Sequence, residues 1–319
     1  MINIKQFIAT KNKFFNIFQL FGNWSPQPLF LLVHITLRCD NVCGYCYQLS
    51  DDYYKKYLAQ DLSFDDFKKI VIDAKRNFFV MPKIHLFGGE PLINKDFSKM
   101  LEFATLNNVK LSFTTNGNLL NIFYKDIGSS SIEQINVSMN SLEDFYKIKT
   151  VQDIKRIKIN INFVLTDKNY KEIKKIVDFF EFEKANINVL SFQHAYFCKD
   201  KININVLKDQ IFKIKNLKTR FKILFLPYIK VNDLEKYYNK ELNNFSRNCN
   251  IPWLGLNIMP NLDVTPGGGV LGCNNVIGNL KKEKIKIIWN NKKIKIFRKN
   301  ILKNGVCDKC LGCCHRQYY

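Results

Sequence analysis

From residue 30 onward the chain alternates short apolar runs with segments of helical periodicity, and this alternation limits its fold more than any other feature. One apolar run and one helical segment together take about 30 residues, which is the length of a β-α unit. Repeated β-α units build a parallel sheet with helices packed outside it. The six predicted strands cover residues 30–37, 83–87, 109–114, 134–139, 158–165 and 187–194.

The predicted helices lie between these strands. The clearest begins at Ser63, which with Asp66 forms an N-terminal capping pattern ahead of apolar residues at helical spacing. Six β-α units are fewer than the eight that close a (βα)8 barrel, so we predict an α/β fold built on a partial (βα)6 TIM-like barrel. In such folds ligands bind at the carboxyl ends of the strands. The predicted helices cover residues 63–78, 96–106, 142–149 and 171–183.

Four parts are predicted along the 319 residues. The barrel is followed by a charged linker or insert with mixed helical and strand patterns. After it comes a small cysteine-rich domain, with a hairpin near residues 254–264 and a lysine-rich helix over residues 283–302. The parts are an N-terminal amphipathic extension at 1–29, the barrel at 30–202, the linker at 203–248 and the C-terminal appendage at 249–319.

The N-terminal extension combines apolar residues near helical spacing with lysines on the opposite face. Such a helix either packs against the rest of the fold or makes peripheral contact with a membrane surface. The first residues lack the continuous apolar core of a signal peptide, and no uninterrupted apolar run approaches the roughly 18 residues of a transmembrane helix. We therefore expect a cytoplasmic protein.

The net charge of +21 raises the question of nucleic-acid binding. Only 7 of the 49 basic residues are arginine, however, and nucleic-acid contacts favour the planar guanidinium. Two interpretations remain for the lysines: a solvated surface, or a surface for an acidic partner or substrate. Nucleic acid is the less favoured partner.

Nine of the ten cysteines form two groups, which indicates two metal sites. A chain without an export signal stays where thiols are reduced, so disulfides are not expected. Cys198 stands alone and is predicted to be a buried core thiol. The first cysteine group is Cys39, Cys43 and Cys46, and the second cysteine group is Cys249, Cys273, Cys307, Cys310, Cys313 and Cys314.

The first cysteine group follows the first predicted strand directly. Its three thiolates lie within eight residues, so they can hold a four-iron [4Fe–4S] cluster and leave one iron open to a cofactor or substrate. Structural zinc is the alternative from spacing alone, although only His34 offers a fourth ligand nearby.

The pattern C-x3-C-x2-C, with Tyr45 before its last cysteine, resembles the signature of the radical S-adenosylmethionine (SAM) superfamily. The resemblance continues at the end of the second strand, where Gly88-Gly89-Glu90-Pro91 is similar to the family's GGEP motif. It implies that backbone and glutamate take up the SAM amino group there. Glycines allow close approach to a ligand, and a carboxylate suits an ammonium group.

Two further strand ends extend the resemblance. Residues 114–117 read Thr-Thr-Asn-Gly and are similar to the family's T-N-G element, while residues 138–140 stand at its ribose-contacting S-x-D. Asn140 replaces the usual aspartate there, and its amide can bond a ribose hydroxyl without supplying a charge. Four motifs in order favour an iron–sulfur cluster over zinc. The implied SAM-binding residues are Tyr45, Gly88, Gly89, Glu90, Thr115, Asn116, Ser138 and Asn140.

The second cysteine group looks like the SPASM domain of this superfamily in its shortened, twitch form. The resemblance implies one auxiliary [4Fe–4S] cluster, hence two clusters in the chain, with SAM as a further cofactor. A turn over residues 260–263 is similar to one in that domain, but Leu262 stands where a glycine is expected. Four cysteines also suit structural zinc, which stays an alternative. The implied ligands are Cys249, Cys273, Cys307 and Cys310, with Cys313 or Cys314 as replacements for one of them.

The resemblance further implies a radical SAM enzyme, with oxidoreductase- or lyase-type chemistry. In that chemistry, reductive cleavage of SAM yields a 5′-deoxyadenosyl radical that abstracts hydrogen from the substrate. The electron comes from a one-electron donor such as flavodoxin or ferredoxin.

The substrate is predicted from two comparisons within the superfamily. Only residues 1–29 precede the barrel, too few for the leader-binding domain of many peptide maturases, and the chain lacks the C-terminal Gly-Gly of molybdopterin-precursor cyclases. A small molecule, such as a sugar or a cell-envelope precursor, is therefore expected. The alternatives are a maturase that modifies a peptide and, from another class, a non-catalytic iron–sulfur or zinc protein that binds nucleic acid.

Overall fold

The computed structural model describes residues 22–194, 202–241, 249–267 and 273–306, together with residues 310 and 313. Ten strands in these ranges form one sheet. They are β1 (Phe30–Thr36), β2 (Lys83–Gly88), β3 (Leu111–Thr115), β4 (Ile132–Met139), β5 (Lys158–Leu165), β6 (Val189–His194), β7 (Lys222–Leu226), β8 (Gly255–Ile258), β9 (Asp263–Pro266) and β10 (Gly278–Asn279). Their order across the sheet is β10-β9-β8-β1-β2-β3-β4-β5-β6-β7.

Strands β1 to β6 are the six that the sequence predicts. Each pairs in parallel with the next in chain order. Within the described ranges β10 and β7 are the two ends of the strand order, so the sheet does not close on itself. The predicted α/β fold with a partial (βα)6 barrel is confirmed.

Helices connect successive strands. Helix α3 begins as predicted, because Ser63 Oγ accepts a hydrogen bond from the Asp66 N–H over 3.1 Å. The helix predicted at residues 142–149 is a 3-10 helix, Leu142–Ile148. The α-helices are α1 (Tyr47–Ser50), α2 (Asp52–Lys55), α3 (Phe64–Asn77), α4 (Phe97–Leu106), α5 (Tyr124–Ser129), α6 (Ile173–Phe182), α7 (Ile204–Ile214), α8 (Leu234–Tyr238), α9 (Ile285–Trp289) and α10 (Lys292–Asn304).

The main core lies between the sheet and the helices. Alternate strand residues such as Val33 and Leu86 are buried there with helix residues such as Phe67. Side chains of a strand alternate between its two faces, so the intervening residues lie on the face opposite to the helices. Many of those are Asn, Gln, Ser, Thr or His and are half-buried. The sheet therefore has one apolar face and one polar face.

The described part of residues 203–248 corrects the linker interpretation. Helices α7 and α8 flank β7, and β7 pairs in parallel with β6 from Val189↔Lys222 to Gln193↔Leu226. This segment therefore adds a seventh parallel strand to the sheet. Its sequence signal is weak because β7 is short and half-buried at one end of the strand order. The domain boundaries themselves stay predictions.

The predicted hairpin near residues 254–264 is formed by β8 and β9, which pair antiparallel. Strand β8 also pairs in parallel with β1, so the C-terminal segment continues the barrel sheet. Leu262 in the hairpin turn has a φ of 71°, the left-handed conformation that favours glycine. Its side chain is buried, and that burial offsets a strain of about 1–2 kcal/mol.

The lysine-rich helix predicted over residues 283–302 is two helices, α9 and α10. Asn291 Oδ1 accepts from the Ile294 N–H over 3.1 Å and so caps α10, while Asn290 Nδ2 donates to Ser25 O over 2.7 Å. Asparagine side chains bond nearby backbone groups, which favours helix ends over helix interiors. The two asparagines therefore break the helix that the lysine pattern predicts.

Two predictions concern segments that the structure describes only in part. The amphipathic helix of the N-terminal extension and Cys198 lie outside the described residues. Within the described ranges, no helix combines the length and the apolar character that crossing a bilayer requires.

Candidate active site

The first cysteine group lies on the loop after β1, at the carboxyl end of the parallel strands. Cys39 is exposed, while Cys43 and Cys46 are half-buried. The Cys46 N–H donates to the Cys43 carbonyl over 3.0 Å, which forms a tight turn just before α1. The three thiols thus follow one short arc that is open to solvent on one side.

Burial and neighbouring charges raise the pKa of two of these thiols, Cys39 and Cys43. Burial is the main cause that raises the pKa of Cys39, and the charges of Asp40, Glu90 and Cys43 add to it. Burial also raises the pKa of Cys43, with a contribution from Cys46. The thiols lie close together on this tight loop, so their thiolates would repel one another, and a cationic metal core would relieve that repulsion. The donor set therefore suits an iron–sulfur cluster.

Structural zinc, the alternative at this loop, takes four ligands around one ion. Among the described residues, no three His, Cys, Asp or Glu side chains converge on one ion position. A four-iron cluster instead holds its thiolates at separate irons, which spaces them more widely. His34, the suggested fourth zinc ligand, is fully buried in β1, and its ring centroid is 5.3 Å from that of Phe87. Burial lowers the pKa of His34 to about 3.

Gly88 and Gly89 bring the end of β2 against the end of β1. A Cβ on Gly88 would lie 1.7 Å from Thr36 O, and one on Gly89 would lie 2.1 Å from Arg38 O. The Gly89 N–H donates to Thr36 O over 3.0 Å. No other residue fits so close an approach, so the two glycines are required by the chain itself. Their contact with SAM stays a prediction.

Glu90 joins the end of β2 to the end of β3. Its carboxylate is fully buried, and Oε1 accepts from Thr115 Oγ1 over 2.8 Å and from the Leu92 N–H over 3.1 Å. Oε2 accepts from the Asn116 N–H over 2.7 Å. Burial raises the pKa of Glu90 to about 7, against the opposing effect of these hydrogen bonds. Glu90, Thr115 and Asn116 are therefore brought together as one unit.

Asp40 is a residue of this site that sequence reasoning missed. Its Oδ1 accepts from Asn116 Nδ2 over 2.6 Å, and its Oδ2 accepts from Asn118 Nδ2 over 2.9 Å. Asn116 Nδ2 also lies 3.9 Å from Cys39 Sγ. These contacts tie the cysteine loop to the loop after β3. The sequence does show an acid directly after Cys39 and two asparagines after β3. Nothing in the local sequence predicts that they contact each other.

Tyr45 and Asn140 connect the cysteine loop to the end of β4. The Tyr45 hydroxyl donates to Asn140 Oδ1. Burial raises the pKa of Tyr45, so the phenol stays protonated. The Asn140 N–H in turn donates to Asp144 Oδ2 over 2.8 Å. Ser138 lies half-buried on β4, two residues before Asn140. All four motifs thus meet at the carboxyl ends of β1 to β4.

A ladder of neutral polar side chains crosses β2 to β5 on the polar face of the sheet. His85 contacts Ser112 Oγ and Thr114 Oγ1, each over 2.8 Å. Asn136 Nδ2 donates to Thr114 Oγ1 over 3.3 Å, and Asn136 Oδ1 accepts from Asn160 Nδ2 over 2.9 Å. These side chains are half-buried, so each keeps part of its surface open on that face.

Fixed positive charge is scarce on this polar face. In β1 to β6, the residues whose side chains lie on the face opposite to the helices include two lysines, Lys83 and Lys158, and no arginine. Both lysines are exposed at the start of their strands. Strand starts lie at the end of the sheet opposite to the cysteine loop. The strand positions of this face are therefore polar and almost uncharged near the cysteine loop. Lys147, which follows β4 and pairs with Asp144 over 2.7 Å, is the lysine that acts on Cys43.

Part of the second cysteine group surrounds the 3-10 turn Ile251–Trp253. Cys249 and Cys310 are half-buried and pack against an apolar cluster. We call this the Trp253 cluster; its buried members are Trp253, Ile301 and Val306.

Cys273 approaches the same turn from the hairpin side. It is buried, and its Sγ lies 3.6 Å from the point that a Cβ on Gly267 would occupy. The same point lies 2.7 Å from Ile251 Cγ2, so Cys273 and Ile251 are close. The Cys313 N–H donates to Cys310 O over 3.0 Å. Cys307 and Cys314 lie outside the described residues.

A tyrosine-rich segment joins the two cysteine groups. The Tyr57 hydroxyl donates to Asp263 Oδ2 over 2.9 Å, which links residues after Cys46 to β9. Tyr54 is buried nearby, and its pKa is raised chiefly by burial, with Cys273 contributing. The N-terminal and C-terminal halves of the site therefore contact each other directly.

Two family profiles match the chain. The radical SAM superfamily profile covers residues 33–178, and the profile of the SPASM iron–sulfur cluster-binding domain covers residues 249–314. The chain is similar to a GTP 3′,8-cyclase of Campylobacter jejuni subsp. doylei, with 28% identity over 217 residues, 61% of this chain and 65% of that protein. It thus spans less than two thirds of that relative.

Solved structures share the fold. SuiB of Streptococcus suis bound to S-adenosylmethionine aligns with a TM-score of 0.65 and 20% identity, covering 94% of this chain and 75% of that one. A structure of anSMEcpe with bound AdoMet aligns with a TM-score of 0.61 and 18% identity, covering 90% and 86%.

The two profiles cover the features that the geometry brings together. The first includes the cysteine loop and the four strand-end motifs, and the second includes the second cysteine group. They favour an enzyme over the non-catalytic alternative, with [4Fe–4S] clusters and SAM as cofactors. The chain carries a radical SAM domain, matched over residues 33–178, and a C-terminal SPASM iron–sulfur cluster-binding domain, matched over residues 249–314.

Proposed function

We propose that this enzyme uses SAM to abstract hydrogen from a neutral small molecule rich in hydrogen-bonding groups, such as a sugar or a cell-envelope precursor. In this proposal the substrate binds on the polar face of the barrel, next to the cysteine loop at the carboxyl ends of the strands. The polar ladder on β2 to β5 carries this proposal, because it offers several hydroxyl, imidazole and amide groups and very little charge.

In this proposal Cys39, Cys43 and Cys46 hold the first cluster. When bound, the cluster supplies the electron that cleaves SAM, and the protein's own residues supply position. Asp40 and Asn116 hold the loop in place through their 2.6 Å hydrogen bond. The residues that we assign to SAM binding are Tyr45, Gly88, Gly89, Glu90, Thr115, Asn116, Ser138 and Asn140.

Four ligands from the second cysteine group would fully ligate the auxiliary cluster. A cluster of this kind transfers electrons without binding the substrate at an open iron. We assign Cys249, Cys273 and Cys310 to it, because these three lie around the turn Ile251–Trp253. The fourth ligand is Cys307, with Cys313 or Cys314 as the alternative.

The strands of the polar face carry lysine only at their starts, which argues against a nucleoside triphosphate, the substrate class that the name of the Campylobacter relative indicates. Phosphate groups are bound in proteins by arginine, lysine or metal ions. Lys83 and Lys158 lie at the wrong end of the strands for a substrate near the cysteine loop. A sugar hydroxyl, by contrast, can donate to and accept from the amides and hydroxyls of the ladder.

A peptide is the second candidate. The side-chain amides of Asn136 and Asn160 can also bond backbone amide groups, which alternate donors and acceptors in the same way. A peptide and a sugar therefore both match the ladder, and the experiment must separate them.

The test uses enzyme reconstituted without oxygen, with SAM, dithionite and perdeuterated cell extract. The extract is divided into neutral small molecules, anionic small molecules and peptides, and deuterium in 5′-deoxyadenosine is measured by mass spectrometry. We expect deuterium from the neutral fraction. Transfer from the peptide fraction alone supports the second candidate, and transfer from the anionic fraction or turnover of GTP contradicts both.

A variant ties the result to the polar face. Asn136→Leu removes the amide that contacts both Thr114 and Asn160, so deuterium transferred per SAM cleaved should fall about tenfold or more. The matched control is Asn186→Ala. Asn186 is exposed on the loop before β6, at the end of the sheet opposite to the cysteine loop. This change should therefore leave the deuterium transferred per SAM cleaved as it is in the unaltered enzyme.

We also propose a cytoplasmic location and an acidic flavodoxin or ferredoxin as the electron donor. The net charge of +21 supports an acidic partner, since complementary charge speeds association. We further propose peripheral membrane contact through the predicted amphipathic helix of the N-terminal extension, which lies outside the described ranges.

A further inference from the structure

Arg298, on α10, is a buried cation among neutral groups. Its side chain is fully enclosed. Its Nε donates to Pro252 O over 3.0 Å, and its Nη1 donates to Asn290 Oδ1 over 2.9 Å and to Asn23 O over 3.3 Å. The guanidinium carbon lies 4.4 Å from the ring centroid of Trp289.

These surroundings do not balance the charge. Among the described residues no carboxylate acts on Arg298, and its Nη2 has no hydrogen-bond partner there. Burial lowers the pKa of Arg298 to about 9. Arginine is almost never fully buried without an anion, because removal of its charge from water is costly. The position of Arg298 therefore suits an anion that lies nearby.

The described cysteines of the second group and Arg298 are both positioned by the turn Ile251–Trp253. Pro252, which accepts from Arg298 Nε, belongs to the turn Ile251–Trp253 around which those cysteines gather. Ile301, a member of the Trp253 cluster, lies three residues after Arg298 on α10 and thus on the same side of the helix. Arg298 and the thiols therefore approach the turn together.

The thiolates supply negative charge when they hold iron. A [4Fe–4S] cluster with four cysteinates has a net charge of about −2, and of about −3 after it accepts one electron. A nearby positive charge stabilises the more negative, reduced form to a greater extent. We propose that Arg298 is the buried counter-charge of the auxiliary cluster and raises its reduction potential. This inference rests on the proposed assignment of the second cysteine group.

The test is a dithionite titration of the two-cluster enzyme, followed by electron paramagnetic resonance. Added SAM changes the signal of the first cluster only, since that cluster has the open iron, and so identifies both signals. In Arg298→Gln, the reduction equilibrium of the auxiliary cluster should become at least tenfold less favourable, which is 59 mV for one electron. The potential of the first cluster should not move.

Two further variants separate charge from packing. Arg298→Lys keeps the positive charge and loses the planar fork, so its auxiliary cluster should stay within about threefold of the unaltered equilibrium. Lys299→Met removes one charge from the exposed neighbour on the same helix, where solvent screens it, and should change the equilibrium less than twofold.

Equal shifts in Arg298→Gln and Arg298→Lys, or no shift in either, would overturn the proposal and leave Arg298 a packing residue only. Each variant is titrated after its iron content is shown to match that of the unaltered enzyme. A separate Cys249→Ala variant that keeps all its iron would contradict the ligand assignment itself, so the two failures can be told apart.

Discussion

The first cysteine group lies on an open loop held by amide and carboxylate contacts, whereas Cys249 and Cys310 of the second group pack against apolar side chains at a turn that a buried arginine also contacts. Cys39 is exposed and bonded through Asn116 to Asp40, while Cys273 is buried. An open loop leaves room for SAM and substrate next to the metal. An enclosed site excludes water and suits electron transfer. The two environments therefore indicate a division of labour between reaction and relay.

The largest expected effect comes from removal of the first cysteine group. A Cys39/Cys43/Cys46 triple-alanine variant should lose all SAM cleavage, because only that cluster leaves an iron open, and its iron content should fall from about eight to about four per chain. Iron analysis and 5′-deoxyadenosine formation check this. Stoichiometric zinc in protein purified without oxygen would contradict the assignment of iron–sulfur clusters to the two cysteine groups.

The next effect is on product formation. Changing Cys307 and Cys310 to alanine should lower turnover of substrate by about tenfold or more, and lower SAM cleavage far less. The variant must remain folded and keep about four irons, since metal ligation and folding are coupled. If such a protein no longer cleaves SAM, the second cluster is not auxiliary.

Asp40→Ala sharpens the comparison at the open loop. Loss of the hydrogen bonds to Asn116 and Asn118 should reduce SAM cleavage by about tenfold while iron content stays unchanged, because the loop loses its anchor and keeps its thiols. Asp65→Ala, which removes an exposed ion pair with Lys68, is the matched control. Equal activity in the two variants would show that the Asp40 contacts do not position the loop.

The smallest effect concerns the contact between the two regions. Tyr57→Phe removes the 2.9 Å hydrogen bond to Asp263, at an expected cost of about 1–2 kcal/mol in the free energy of unfolding. Denaturant melts measure this, and Tyr146→Phe at an exposed site should change nothing. An unchanged midpoint in Tyr57→Phe would show that this bond does not hold the regions together.

The same contact predicts a dependence on pH. Hydrogen bonds from Asn279, Asn261 and Tyr57 lower the pKa of Asp263, against the opposing effect of burial. A carboxylate with a lowered pKa stabilises the fold above its ordinary pKa of about 3.9, and the stabilisation is lost as pH falls through the lowered value. The difference between Tyr57→Phe and the unaltered protein should therefore shrink below about pH 4.

Local patterns in the sequence determined the order of strands, the cysteine loop and the four strand-end motifs. A strand or a cap depends on neighbours within a few residues, and the C-x3-C-x2-C spacing is itself local. The same reasoning did not predict β7, because its apolar run is short. It also did not predict the helix break at Asn290 and Asn291, because the surrounding lysine pattern continues across it.

Only the tertiary structure decided which distant residues meet. Asp40 contacts Asn116 across 76 residues, β8 pairs with β1, and Arg298 reaches the turn that holds part of the second cysteine group. The free energy that such a contact contributes depends on burial and on charges from elsewhere in the chain. Neither can be read from the spacing of residues in the sequence. The sequence by itself therefore determined what metal chemistry the chain carries, whereas the fold decided how each site is held, charged and opened to a substrate.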